Sequence, residues 1–144
     1  AHSARGDVAE AIADYTSAIE RAPKMTAALY NRGSLHLTKG DLDSALADFD
    51  QTLAIDPGFV TAYNNRGIAR MAKGDIDGAI ADFNKAIEID PRQADANMNL
   101  GLTRLRQGRT LEAERHFARS IAVKPSLRPL IESRIEQVTR QTGF

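Results

Sequence analysis

Four prolines, Pro23, Pro57, Pro91 and Pro125, stand 34 residues apart, and this period constrains the chain more than any single residue does. Glycines keep the spacing at Gly6, Gly40, Gly74 and Gly108, and again at Gly33, Gly67 and Gly101. Alanines keep it at Ala11, Ala45, Ala79 and Ala113, and aromatics at Tyr15, Phe49, Phe83 and Phe117. A unit repeated at this length cannot bury its apolar face alone and must stack on its neighbours. Two antiparallel helices per unit give each column a task. Gly40, Gly74 and Gly108 fall where a helix ends on a left-handed residue, a conformation that costs glycine little. The Asp41-x-Asp43 and Asp75-x-Asp77 pairs follow at once, where a side-chain oxygen can cap the N–H groups that open the second helix. Pro57 and Pro91 then close that helix. Gly33, Gly67 and Gly101 lie inside the first helix, where glycine costs about 1 kcal/mol relative to alanine. Close approach of a neighbouring helix is the reason to keep them, and Phe49, Phe83 and Phe117 are expected to fill the space between the helices.

With Gly, Ala, aromatic and Pro at these offsets, the segments Tyr63-Asn64-Asn65-Arg66-Gly67 and Gly74-Asp75-Ile76-Asp77-Gly78-Ala79-Ile80 resemble the tetratricopeptide repeat family. The resemblance covers essentially the whole chain. It implies an all-α fold, a right-handed superhelical solenoid of antiparallel helix pairs whose first helices line a concave groove and whose second helices form the convex back. Residues 1–144 are then a single domain, with a partial repeat at 1–25, full repeats at 26–59, 60–93 and 94–127, and a C-terminal capping helix at 128–144. The partial repeat begins inside a first helix, which points to a parent chain extending upstream. For the cap, Leu127, Ile131, Ile135 and Val138 form one apolar helical stripe, with Arg128, Glu132, Arg134, Glu136 and Arg140 on the other faces. A terminal repeat requires such a cover.

Two charged columns change together. Arg32 goes with Asp48 and Arg66 with Asp82, whereas the last repeat carries Leu100 with His116. This predicts a half-buried Arg–Asp pair within each of the repeats 26–59 and 60–93 that fixes how its two helices dock. Removing one partner of a buried pair costs roughly 3–5 kcal/mol, while replacing both can be neutral.

The resemblance implies that a ligand meets one face of the first helices. The candidate groove residues are Tyr30, Asn31 and Ser34, then Asn64, Asn65 and Ile68, then Met98, Asn99, Leu102 and Arg106. Asn31, Asn65 and Asn99 occupy one column, and a spaced asparagine ladder can hydrogen-bond an extended peptide backbone, each amide offering donor and acceptor. Ile68, Met71, Met98, Leu102 and Leu105 form an adjacent apolar strip, expected to face solvent unless the C-terminal helix, an upstream segment or a second copy covers it. The subfamily that clamps acidic chaperone tails lines this groove with lysines and an arginine. Here Tyr30, Ser34, Asp95 and Asn99 stand at the corresponding places and only Asn65 matches, which argues against such a ligand.

The 42% apolar and 26% charged residues suit a soluble globular protein, and no apolar run reaches the roughly 18 residues of a membrane span. Membrane insertion of this segment is not expected. The absence of cysteine removes disulfides, thiolate nucleophiles and cysteine zinc sites. His2, His36 and His116 are scattered without metal-ligand spacing, so no metal or other cofactor is implied. With no phosphate loop, nucleophile elbow or paired catalytic carboxylates, the chain does not read as an enzyme. A pI near 7.1 and arginines without interleaved aromatics argue against a nucleic-acid partner. Residues 1–100 carry 10 Lys and Arg against 15 Asp and Glu, while residues 101–144 carry 9 against 4. Oppositely charged ends can steer an acidic partner or favour head-to-tail self-contact. These features describe an adaptor that binds a peptide or protein segment; they leave the compartment open, with a cytoplasmic setting favoured over a periplasmic or secreted one. The alternatives are a self-assembling scaffold, hence a homo-oligomer, or the regulatory interaction domain of a larger protein.

Overall fold

A computed structural model describes residues 4–143; His2 and Phe144 lie outside them. Among the described residues there are eight α-helices and no strand. They are α1 (Ala4–Arg21), α2 (Thr26–Lys39), α3 (Leu42–Ile55), α4 (Val60–Ala72), α5 (Ile76–Ile89), α6 (Ala94–Arg106), α7 (Thr110–Val123) and α8 (Arg128–Thr142), with a 3-10 turn at Pro125–Leu127 before α8. The helices α2, α4 and α6 open at the first residue of each 34-residue segment. None of the helices is long and apolar enough to cross a membrane. The chain divides into two compact units, residues 1–79 and 80–144.

In the first unit, α2 ends as the glycine column predicts. Gly40 has φ +86°, its N–H donates to the Leu37 carbonyl at 3.0 Å, and the Asp41 N–H donates to the His36 carbonyl at 2.9 Å. These two reversed bonds satisfy carbonyls that the helix end would leave open. Gly74 repeats the arrangement after α4 with φ +88°, and Gly108 repeats it after α6 in the second unit with φ +77°. The Asp41 carboxylate then accepts the Ser44 N–H at 3.4 Å, and hydrogen bonding from the Ser44 side chain, then from its N–H, holds its pKa below the usual carboxylate value. Asp75 accepts the Gly78 N–H at 3.0 Å. Arg109 stands in the same column in the second unit and cannot cap; its guanidinium pairs with Glu112 at 2.7 Å instead. The turns at Pro57 and Pro91 are also tightened by the residue before the proline, since Asp56 accepts the Gly58 N–H at 3.1 Å and Asp90 the Arg92 N–H at 3.0 Å.

The core of the first unit is Ala45, Phe49, Leu53 and Ala62, with Tyr30, Leu37, Phe59 and Tyr63 packed against it. Gly33 faces the Phe49 ring so closely that a Cβ placed on it would stand 2.9 Å from Phe49 Cε1. In the second unit, Met98, Leu102, Leu105 and Phe117 form one cluster with Leu127, Ile131 and Val138. The Ser120 hydroxyl donates to the Ala94 carbonyl at 2.8 Å, tying α7 to the start of α6. A Cβ on Gly101 would lie 2.6 Å from Phe117 Cε1 and 3.2 Å from the Ala113 carbonyl oxygen. Alanine there gains about 1 kcal/mol in helix propensity but forces the helices apart, which costs about 1–3 kcal/mol. Gly101→Ala is therefore expected to lower stability in urea unfolding, and a gain in stability would show that Phe117 yields at no cost.

Candidate peptide-binding site

On the first-helix face of the first unit, Tyr30 and Ser34 sit one turn apart on α2 and face Asn65 of α4. The Asn65 Nδ2 donates to Tyr30 Oη at 3.0 Å and to Ser34 Oγ at 3.3 Å. Ser34 is itself anchored, its hydroxyl donating to the Tyr30 carbonyl at 3.0 Å. The Tyr30 ring is fixed from below by Phe59 at 4.8 Å and Phe49 at 6.1 Å between centroids. With its amide nitrogen donating to both, the polar atom Asn65 has left is its carbonyl oxygen, an acceptor. This narrows the donor-and-acceptor role expected of the asparagine column. Tyr30, Ser34, Asn65, Asn31 and Ile68 are all half-buried, so their outer edges reach solvent. Phe59 supports the site but shares its column with Met25 and Gln93, which left no repeat pattern by which to find it.

The other candidates are placed differently. Asn64 is only 8% exposed and belongs to the interior. Met98 and Leu102 are 6% and 4% exposed, inside the cluster that includes Ile131 and Val138. The strip at Met98, Leu102 and Leu105 thus does not face solvent, because the apolar stripe of α8 covers it. Asn99 stays half-buried and Arg106 exposed on α6.

The paired charges serve the fold. Arg32 grips Asp48 through two bonds, Nε at 2.8 Å and Nη2 at 2.7 Å, and Asp48 is only 3% exposed. The bond to Asp48 raises the Arg32 pKa above its ordinary value. The same guanidinium donates through Nη1 to Thr16 Oγ1 at 3.2 Å, so it joins α1, α2 and α3. Arg66 donates to Asp50 at 3.0 Å, from α4 to the preceding α3, and lies 5.6 Å over the Tyr63 ring centre. In the third repeat Leu100 is buried, and burial, then Arg119 and Arg104, push the half-buried His116 below the ordinary histidine pKa. Its Nδ1 is enclosed without a hydrogen-bond partner.

Helix hairpins closed by left-handed glycines and stacked on a glycine–aromatic contact define a helical repeat protein. Residues 1–58 match the model of a family described as tetratricopeptide repeat, and residues 69–108 match one described as TPR repeat. The chain belongs to the tetratricopeptide repeat family. Among solved structures, the crystal structure of MamA is similar over 96% of this chain and 81% of its own, with 23% identity and a TM-score of 0.80. MamA 41-end from Desulfovibrio magneticus RS-1 is similar over 84% of this chain and 68% of its own, with 23% identity and a TM-score of 0.76. The first TPR of Spaghetti (RPAP3), bound to the HSP90 peptide SRMEEVD, is similar over 83% of this chain and 94% of its own, with 18% identity and a TM-score of 0.71. At these identities the likeness is one of fold. No curated protein sequence matches the chain. Domains of this family are typically non-catalytic interaction modules.

Two outcomes follow from the charged columns. Arg32→Leu alone is expected to cost about 3–5 kcal/mol, because it strands the buried Asp48 carboxylate, and Asp48→His, which strands the half-buried Arg32, is expected to cost less. The double variant, which copies Leu100 and His116, is expected to recover most of that loss; additive losses in a denaturation cycle would show that the two residues act independently. For His116 the folded pKa lies below the ordinary 6.5, so the unfolded state binds the proton more readily. Its contribution to stability is complete above that ordinary value and is lost as pH falls through the lowered folded value. His116→Gln should flatten the acid limb of a stability–pH curve, and an unchanged limb would assign the acid sensitivity elsewhere.

Proposed function

We propose that the chain is a protein–protein interaction adaptor and that an extended peptide segment lies on the first-helix face formed by α2 and α4. The observation that carries this reading is the Asn65 amide, locked by Tyr30 and Ser34 with its carbonyl oxygen left for a ligand. A fixed acceptor receives a peptide N–H whatever the peptide's side chains are, and pre-ordering it removes part of the entropic cost of binding. Asn31 and Ile68 flank it with a polar and an apolar contact. In the second unit, Asn99 and Arg106 are the candidate contacts, with Arg106 suited to a carboxylate. Met98 and Leu102 are left out because α8 covers them.

A peptide-bound neighbour of the same fold supports the general mode, but the ligand proposed here is not an acidic chaperone tail. Tyr30, Ser34 and Asp95 stand where that recognition needs cations. The reading is non-catalytic and invokes no cofactor, nucleic acid or membrane. A self-assembling scaffold is the second reading, favoured by the acidic balance of residues 1–100 against the basic balance of residues 101–144.

The test compares proteins captured from native lysate by the parent chain and by Asn65→Ala, with circular dichroism confirming that both are folded. A partner retained by the parent and depleted at least about fivefold with the variant, as loss of one hydrogen bond of about 1 kcal/mol implies, is the expected outcome. An identical capture profile would remove this face from the function. A mass that rises with concentration in light scattering would transfer the function to self-assembly.

A further inference from the structure

Cations of α2 and α4 find their counter-charges on the side of α3. Arg32 bonds twice to Asp48, Arg66 donates to Asp50, Lys73 pairs with Asp43, and the charge of Lys39, which ends α2, acts on Asp41. The first-helix face is built instead from neutral side chains, with Asn31, Ser34 and Thr38 on α2 and Asn65, Ile68 and Met71 on α4. Its central donors are already engaged within the fold. Ser34 Oγ donates to the Tyr30 carbonyl at 3.0 Å, Thr38 Oγ1 donates to the Ser34 carbonyl at 3.1 Å, and the Asn65 amide donates to Tyr30 and Ser34. The polar atoms left at the centre are oxygens, which accept, and the half-buried Ile68 and Met71 adjoin them.

We propose that the segment held by α2 and α4 is uncharged there and carries an aliphatic side chain, which lies over Ile68 and Met71 next to the main-chain N–H that Asn65 accepts. This ligand class rests on the α2–α4 adaptor reading and refines it. A carboxylate or phosphate brought to the centre of the face would shed water only to meet acceptors. An ammonium or guanidinium would find acceptors but no carboxylate to balance it, so the cost of drying the charge would stand uncompensated. A neutral amide hydrogen satisfies an acceptor with no charge to desolvate. The apolar neighbours select further, since Ile68 follows Asn65 by one helical turn and Met71 follows Ile68 by another. The Met71 thioether adjusts to straight or branched chains, so the selected feature is an aliphatic side chain and not one residue type. In the second unit Asp95 and Arg106, both exposed, stand in the columns of Thr61 and Ala72, so neutrality belongs to this face and not to the repeat as such.

The test selects a displayed library of short random peptides on the intact chain. Selected peptides are expected to shift the amide resonances of α2 and α4 saturably, to carry an aliphatic residue and no charge at the contact, and to keep their affinity within about twofold as salt rises from about 0.05 to 0.5 M. Replacing that aliphatic residue by glutamate or by lysine should weaken binding at least about tenfold, and Ile68→Ala, checked for folding by circular dichroism, at least about fivefold. Peptides that bind α2 and α4 through acidic or basic residues, or an affinity that both peptide changes or Ile68→Ala leave unaltered, would overturn the ligand class and keep the face. An empty selection, or shifts confined to other helices and indifferent to Asn65→Ala, would remove the face itself and the ligand class with it.

Discussion

The approach of a glycine on a first helix to an aromatic ring on the second sets the spacing of the α2–α3 and α6–α7 pairs. At Gly33 against Phe49, and at Gly101 against Phe117, the backbone comes so near the ring that even a methyl group has no room. Such proximity maximises dispersion contact and seals both aromatics from water, leaving Phe49 0% and Phe117 6% exposed. Everything beyond this contact is position: once the pair is closed, the turn glycines, the caps and the flanking charges can take only the places they occupy.

The rigidity has a direct bearing on recognition. Tyr30 is held at its ring by Phe49 and Phe59, and its hydroxyl accepts from the Asn65 amide. That hydroxyl, with Ser34, orients Asn65. The core therefore reaches the surface through one aromatic side chain, and an amide that would otherwise sample several rotamers is given a single orientation. A ligand meeting it need not order it.

Much of the architecture was legible because a repeated column tends to do one physical job, as Gly40, Gly74 and Gly108 do at the ends of α2, α4 and α6. The left-handed glycines, the aspartate caps and the glycine–aromatic contacts follow from local stereochemistry and close packing, which depend on the unit itself. The candidate site was less legible because it depends on what lies beside the unit. Met98 and Leu102 occupy the same columns as Asn64 and Ser34 and their neighbours Tyr30 and Ile68, yet α8 lies over them and turns two expected contact residues into core. Asn65 could be picked out by its column, but the groups that consume its donors could not, since Tyr30 and Ser34 are not repeated in kind. Periodicity locates positions; it does not say who sits across from them.

The joint use of Arg32 and Asp48 has a consequence for how such a chain can change over generations. Passing from the arginine–aspartate repeat to the leucine–histidine repeat one residue at a time requires an intermediate with a stranded charge in the interior, at a stability loss comparable to a large part of what a small domain possesses. Copying a whole 34-residue segment moves both columns together and never visits that intermediate. The pair thus makes the repeat, rather than the residue, the unit that is safe to inherit, and a hybrid repeat spliced between the two helices should be the rarest kind.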